Sequence, residues 1–396
     1  MLNISRLLRD IDDMTDSLRY SEKSKDSIAG TGRDKGPVVV WNVTRACNLN
    51  CRHCYAGEKS SAHTRELSTR EARKLISELA YMNVPVLLFS GGEPLLREDI
   101  EELIAFAREQ GIMVALSSNG TLIDLEKARR IKQLGVSYVG VSLDGKPITH
   151  NRFRGHNNAY QRTLQGIRNC QQVGQKVGLR FTMVKQNREE IGAIFQLMQK
   201  ENIPRLCLYH LVPQGRGSRL KKQVMTDNAR RKLIDNIITR AERLQEQDEN
   251  REILTVANQT DGVFLYLRLK REDDSRAEKV YKYLQRNGGN RSGQAIACID
   301  WRGEVHPDQF SFAHSAGNVR ERSFADIWQQ SPSRLLQKLR RRQDHITGRC
   351  SECIWFEICN GNMRTRAESL AGDYWASDPG CYLTDREISS QEHTDR

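Results

Sequence analysis

The sequence predicts an α/β fold: a partial, open (β/α)6 barrel followed by a small cysteine-rich C-terminal domain. Three observations predict it. Between residues 37 and 212, short apolar β-branched runs alternate with amphipathic helical stretches, the pattern of a parallel sheet buried on both faces. Six such units fall short of the eight that close a barrel. Of the 10 cysteines, most fall into two compact groups: Cys47, Cys51 and Cys54, then Cys350, Cys353, Cys359 and Cys381.

In chain order, residues 1–35 read as an N-terminal helical extension, with Ile4, Leu7, Leu8, Ile11, Met14 and Leu18 on one stripe. This segment lacks the apolar block and cleavage site of a signal peptide. No apolar run approaches the ~20 residues that span a bilayer, so a membrane partner is not expected. A cytoplasmic location is, and disulfides are rare there, which turns the cysteines toward metal. Residues 36–215 carry the barrel strands, in "VVVWNVT", "PVLLFSG", "MVALSSNG", "YVGVSLDG", "GLRFTMV" and "RLCLYHLV". Of the helices between them, one opens on Ser68 with Glu71 three residues later, a capping box, and another stops at Gly111. Residues 216–290 read as a helical segment completing the core, with helices over 226–248 and 263–286. Residues 291–385 form the cysteine-rich domain, and 386–396 a disordered tail.

The net charge of +12 fits an anionic partner, although each basic run alone reads as a solvated face. Nucleic acid is not expected, because neither an aromatic-rich RNA-binding signature nor a zinc-finger histidine pair is present.

In such folds, chemistry sits at the carboxyl ends of the strands. "RACNLNCRHC", "SGGEP", "SSNGT" and "SLDG" all fall there. Three thiols on one short polar loop can wrap a single metal centre. Structural zinc closes its shell with four ligands, so zinc needs a fourth, with His53 nearest. A [4Fe–4S] cluster, normally held by four cysteines, would keep one iron open, as catalysis requires. Spacing favours the cluster without removing zinc. "SGGEP" alone also reads as a turn with Pro94 in the first helical turn. Its glycines let backbone approach a ligand closely, and Glu93 can accept from a cationic amine. The C-terminal C-x2-C is likewise a zinc spacing. Cys170 and Cys207 read as core residues.

C-x3-C-x2-C directly after the first strand, followed by GGEP after the second, resembles the radical S-adenosylmethionine (SAM) superfamily over residues 36–215. The resemblance implies that Cys47, Cys51 and Cys54 hold a [4Fe–4S] cluster whose open iron binds SAM. It implies that Gly91, Gly92 and Glu93 lie along the methionine amine, that Ser118 and Asn119 lie near the ribose, and that Ser142 and Arg180 line the same site. A 5′-deoxyadenosyl radical would then abstract hydrogen from the substrate. The spacing C-x2-C-x5-C, with Cys381 beyond, is similar to the SPASM or twitch-like extensions that bind auxiliary [4Fe–4S] clusters. It implies one such cluster on Cys350, Cys353, Cys359 and Cys381, two clusters in all. Where the longer pattern continues with a cysteine, this chain has Met363. Cys298 is a candidate fifth thiol.

Segments from residue 36 to 383, among them "GPVVVWNVTRACNLNCRHCY", "GEVHPD" and "DPGCYL", are similar to the NirJ family of heme d1 biosynthesis, which serves denitrification. That resemblance implies an oxidoreductase-type radical enzyme that removes two propionate side chains from 12,18-didecarboxysiroheme, an iron tetrapyrrole. It also implies an electron donor such as a ferredoxin or flavodoxin. A related siroheme-dependent heme-pathway enzyme and a SPASM peptide maturase are the alternatives. An acidic macrocycle fits the positive charge, with Arg152, Arg154 and Arg216 as candidates to meet carboxylates. His210, at the end of the sixth strand, is a candidate to approach the substrate iron or a side chain, or else a hydrogen-bonded structural histidine.

Overall fold

The computed structural model describes residues 1–9, 31, 34–56, 65–247, 250–330 and 332–389. Among the described residues, eleven strands form one sheet: β1 (Leu2–Asn3), β2 (Val38–Thr44), β3 (Val86–Gly91), β4 (Met113–Ser118), β5 (Tyr138–Ser142), β6 (Val177–Met183), β7 (Arg205–His210), β8 (Glu252–Val256), β9 (Ile296–Ile299), β10 (Glu304–His306) and β11 (Gly317–Asn318). Strands β2 to β7 are the six expected from the sequence, and each pairs in parallel with the next. The strand order ends at β1 on one side and β11 on the other, so the barrel stays open.

The parallel wall is wider than the sequence suggests. β8 lies in the stretch read as helical and pairs in parallel with β7. β9 comes from the cysteine-rich segment and pairs in parallel with β2. Both are short, and β8 follows a charged tract that hides its apolar character. Their partners are distant in sequence, so local periodicity does not mark them. β10 and β11 continue from β9 as antiparallel strands. At the other edge, Leu2 and Asn3 pair antiparallel with Thr255 and Leu254. The expected N-terminal helix is therefore a strand and one helical turn, Ile4–Leu7, over the described residues, capped by Asn3 Oδ1 accepting from Arg6 N. Ile4, Leu7 and Leu8 are buried as the stripe predicts, while Ile11, Met14 and Leu18 lie outside the described residues.

Each of strands β2 to β8 is followed by helix, and the expected signals explain where the helices stand. Ser68 and Glu71 form the full capping box of helix Thr69–Tyr81. Gly111, at φ +81°, follows helix Ile100–Glu109. Thr226 caps helix Asp227–Glu246. The helix read over 263–286 is two, Thr260–Glu272 and Asp274–Asn287. Extended Asp273, at φ −154°, separates them and caps the second by accepting from Arg276 N. At the C-terminus, the segment read as disordered from 386 begins with helix Asp385–Ser389, anchored by buried Ile388 and the Arg231–Glu387 ion pair. No described helix is long and apolar enough to cross a membrane.

The alternation of side chains along each strand sorts the wall into two faces. Trp41, Phe89, Leu116, Val139, Leu179 and Leu208 join the helices in the main hydrophobic cluster. Each such burial is worth about 1.5–3 kcal/mol. The intervening positions turn inward and become polar toward the carboxyl ends: Asn42 and Thr44, Ser90, Ser117, Ser142, Arg180 and Thr182. Cys170 and Cys207 are buried in a helix and in β7, as expected.

Candidate active site at the barrel mouth

The cysteine loop follows β2 and is held from three sides by backbone. From β3, Gly92 N donates to Thr44 O and Glu93 N to Ala46 O, both at 2.8 Å. A Cβ on Gly92 would stand 2.1 Å from Ala46 O, so only glycine lets the two chains run this close. From the helix after β5, Arg154 O accepts from Asn50 N at 3.1 Å and Phe153 O accepts from Arg52 N at 2.8 Å. From the turn after β7, Arg216 donates through its backbone N to Cys54 O at 2.9 Å and through Nε to Cys51 O at 2.8 Å. Gly215, at φ +55°, sits with its would-be Cβ 2.5 Å from Tyr55 O.

Cys47, Cys51 and Cys54 cluster beside Leu49 and Ala159 and border one cavity at the mouth of the barrel. Burial pushes the Cys47 thiol up to about 12, with Cys51, Glu93 and Cys54 adding to it and the Leu49 N–H opposing. Cys54 rises for the same first reason. Thiols placed like this keep their protons until a cation replaces them. Arg154 is the charge that would stabilise such thiolates. Its Nη1 lies 3.5 Å from Cys51 Sγ, and it pairs with fully buried Asp144. Burial alone would lower this guanidinium, but Asp144 and Cys51 hold it above its ordinary value. Asp144 in turn is held below the usual carboxylate range, against its burial, by Arg154, His53 and His150.

The strand ends complete the wall. Gly91, Gly92, Ser118, Asn119, Ser142 and Arg180 all line the cavity. Glu93 stands behind it: Oε1 accepts from Ser118 Oγ at 2.9 Å and Oε2 from Asn119 N at 2.8 Å. Burial raises its carboxyl to about 7, with those two bonds opposing. Glu93 therefore fixes the end of β4 against the end of β3. Asn119 also donates to Asn48 Oδ1 at 2.9 Å, tying β4 to the cysteine loop. Arg180 crosses the floor of the cavity over Gly140, where a Cβ would stand 2.3 Å from its Nε, and it donates to Ser117 Oγ. The Nε atoms of Arg154 and Arg180 and Nδ1 of His53 are buried without a protein partner, polar atoms that a bound ligand can satisfy.

Some sequence expectations fall elsewhere. Arg152 is exposed and does not border the cavity, because two residues along a helix is more than half a turn from Arg154. Arg154 gives its two terminal nitrogens to Cys51 and Asp144, which leaves only Nε toward a ligand. His53 lies 3.6 Å from Asp144 and stacks near Phe153 instead of joining the thiols, and burial lowers it to about 4. Cys298 is buried in β9 with Asn42 Nδ2 at 3.2 Å, beside Asp308 and Asp300, on the barrel's inner wall and not with the C-terminal thiols. Sequence reading missed Asp144, although "SLDG" places it at a strand end. It also missed Tyr55, Tyr209, Gln309 and Phe310, which line the cavity. Phe310 arrives from the loop after β10, and no local signal brings it to the barrel.

The second cysteine group is built differently. Cys350, Cys353, Cys359 and Cys381 influence one another directly. Burial first, then Cys381, Cys350 and Cys353, hold Cys359 well above its ordinary value, and burial pushes Cys353 to about 11. Their segments are fastened by a buried pair, Arg366 on Asp378 at 2.9 and 2.7 Å. Asp378 also accepts from Met363 N and Gly380 N. Arg366 donates to Ala257 O, and Asn258 to Gly380 O, so the group sits on the loop after β8. Neither group of thiols converges on one ion-sized point among the described residues. A four-iron cluster is a larger body and asks its ligands to stand further apart than the tetrahedral shell of zinc, with Zn–S about 2.3 Å.

Two family models match parts of this chain. A family model for the radical SAM superfamily matches residues 41–198, and one for an iron–sulfur cluster-binding SPASM domain matches residues 291–354. The chain is 47% identical to an Fe-coproporphyrin III synthase of Methanosarcina barkeri, over 99% of this chain and 100% of that one. It is 39% identical to a pre-heme d1 synthase of Dinoroseobacter shibae, over 91% and 89%. Among solved structures, it superposes on Streptococcus suis SuiB bound to its precursor peptide SuiA, with a TM-score of 0.68 at 19% identity, over 88% of this chain and 76% of that one. At that identity the likeness shows the fold alone.

Proposed function

This chain belongs to the radical SAM superfamily and carries a SPASM domain, and from that premise we propose that it removes carboxylate side chains from an iron tetrapyrrole derived from siroheme. That it is a radical SAM enzyme of heme-related biosynthesis follows from its relatives. The observation that carries the finer reading is the 47% identity to an Fe-coproporphyrin III synthase over the whole of both chains. It favours loss of two acetate side chains, with Fe-coproporphyrin III as product. The 39% identity to a pre-heme d1 synthase supports the second reading, loss of two propionates from 12,18-didecarboxysiroheme on the route to heme d1.

In this reading, Cys47, Cys51 and Cys54 hold three irons of a [4Fe–4S] cluster, and Cys350, Cys353, Cys359 and Cys381 hold a second. The barrel-mouth cluster with bound SAM supplies hydrogen-abstracting radical chemistry. The protein's own task is placement. Gly91 and Gly92 keep the β3 end close enough to the cysteine loop to leave room beside it. Glu93 orients Ser118 and Asn119, while Ser142 and Arg180 form the floor. Arg154 balances negative charge at Cys51, and Arg216 clamps the loop. The close-packed apolar layer between the strands and the helices outside them closes the barrel wall to bulk water. Reducing equivalents would come from a ferredoxin or flavodoxin.

The test is anaerobic incubation with reductant, SAM and 12,18-didecarboxysiroheme, followed by mass spectrometry. Loss of two acetates supports the leading reading and loss of two propionates the second. SAM cleavage with an unchanged macrocycle would sink both.

A further inference from the structure

At the end of β7 a histidine meets the cavity with a buried carboxylate behind it. His210 lines the cavity and is 5% exposed. Its Nε2 lies 2.9 Å from Oδ2 of Asp261, a fully buried residue in the first turn of helix Thr260–Glu272. The other oxygen of Asp261 accepts from the Tyr382 hydroxyl at 2.8 Å. Tyr382 is also buried, and it follows Cys381 in the chain. Three segments far apart in sequence thus meet at one carboxylate.

The arrangement fixes the chemistry of the ring. An O–H is aimed at Oδ1 and an imidazole edge at Oδ2, so Asp261 accepts on both sides. Nε2 then carries the ring proton, and Nδ1 keeps its lone pair. A carboxylate behind a histidine is the recurring support of a metal-binding imidazole: it sets the tautomer, orients the ring and raises its basicity. Imidazole suits iron, and an iron tetrapyrrole leaves its axial positions to the protein. The other cavity histidine lacks this support. His53 stands 3.6 Å from Asp144, beyond a hydrogen bond, and belongs to the cysteine loop.

Resting on the tetrapyrrole reading above, we propose that His210 is an axial ligand to the iron of the substrate. Asp261 is its positioning residue, and Tyr382 locks Asp261. The ligand would hold the macrocycle at a set height over the barrel mouth, which decides which side chains reach the radical.

The proposal is tested by titrating the anaerobically purified full-length protein with Fe(III)-coproporphyrin III, followed by Soret absorption and EPR. Wild-type protein should give a histidine-ligated spectrum. His210→Ala should lose that spectrum, bind roughly 10- to 100-fold more weakly, and regain the ligated spectrum when free imidazole is added. Metal-free coproporphyrin III should bind both proteins equally. Asp261→Asn should keep the ligated spectrum but raise the reduction potential of the bound iron, because the imidazole loses its anionic support; an unchanged potential overturns the role of Asp261. If His210→Ala binds the iron compound with the wild-type spectrum, the ligation is refuted and the tetrapyrrole reading stands. If wild-type protein binds neither compound, the tetrapyrrole reading itself falls.

Discussion

The two cysteine sites differ in how many thiols they offer and in how they are held. At the barrel mouth, three thiols sit on one loop of eight residues, and distant backbone grips that loop from three strand ends. The side they leave open borders a cavity. In the C-terminal domain, four thiols are gathered from a longer stretch and fastened by a buried Arg366–Asp378 pair. The first arrangement suits a centre that exchanges a ligand, the second a centre with a complete shell. A carboxylate paired with a guanidinium serves both sites: Asp144 with Arg154 beside Cys51, and Asp378 with Arg366 beside Cys381.

The sharpest way to break this comparison is to remove thiols. Cys47→Ala, Cys51→Ala or Cys54→Ala should abolish SAM cleavage in an anaerobic assay with dithionite. Replacing any of Cys350, Cys353, Cys359 and Cys381 should leave that cleavage measurable and abolish conversion of the tetrapyrrole. Iron analysis should give about eight irons in wild-type protein and about four in either set of variants. Loss of SAM cleavage in both sets would mean the two sites are not separable.

Glycine substitutions come next, because they displace a ligand loop without touching a ligand. Gly92→Ala pushes a Cβ toward Ala46 O. A displacement near 1 Å in such a loop should slow SAM cleavage roughly 10²-fold. Gly289→Ala, at φ +65° and with its Cβ 2.4 Å from the Cys359 carbonyl carbon, should spare SAM cleavage and lower the iron content.

Stability effects are smaller in consequence for chemistry but still large. Asp378→Asn leaves Arg366 buried and uncompensated, a loss of about 3–5 kcal/mol in chemical denaturation. A change below about 1 kcal/mol would mean that the pair does not fasten the second site.

The smallest expected effect lies on the surface, where Arg320 joins β11 to the capping box at Glu71. Arg320 first, then Ser68, hold the Glu71 carboxyl down at about 2, below its ordinary 4.5. A depressed carboxyl stabilises the fold above its ordinary range, and that contribution is lost as pH falls through about 2. Arg320→Ala should therefore cost under about 1 kcal/mol at pH 7, since solvent screens the pair. The difference from wild type should shrink below about pH 4, read from denaturation curves at stepped pH.

Much of this was legible in the sequence because its signals are local. Six strands, the Ser68 capping box, the stop at Gly111 and the first cysteine group each announce themselves within a few residues, and the second group within the single stretch 350–381. The parts that were not legible depend on pairing across the chain. β8 and β9 become strands because β7 and β2 offer open edges. Phe310 reaches the cavity, and Asp144 reaches the cavity-lining Arg154, only when the wall curves. Arg152 and Arg154 look equivalent in "HNRFRG", yet one faces solvent and the other a cysteine.

The sequence by itself determined the chemistry: which residue types are present, three thiols followed by GGEP, and four thiols further on. Periodicity and spacing are properties of the chain, so they mark the six barrel strands and the number of thiols on offer before folding. The tertiary structure decided allegiance. It set Glu93 behind the cavity as a brace, took Cys298 and His53 away from the thiol groups, and brought His210, Asp261 and Tyr382 together. Those choices rest on burial and on hydrogen bonds between segments far apart in sequence, which no local pattern encodes.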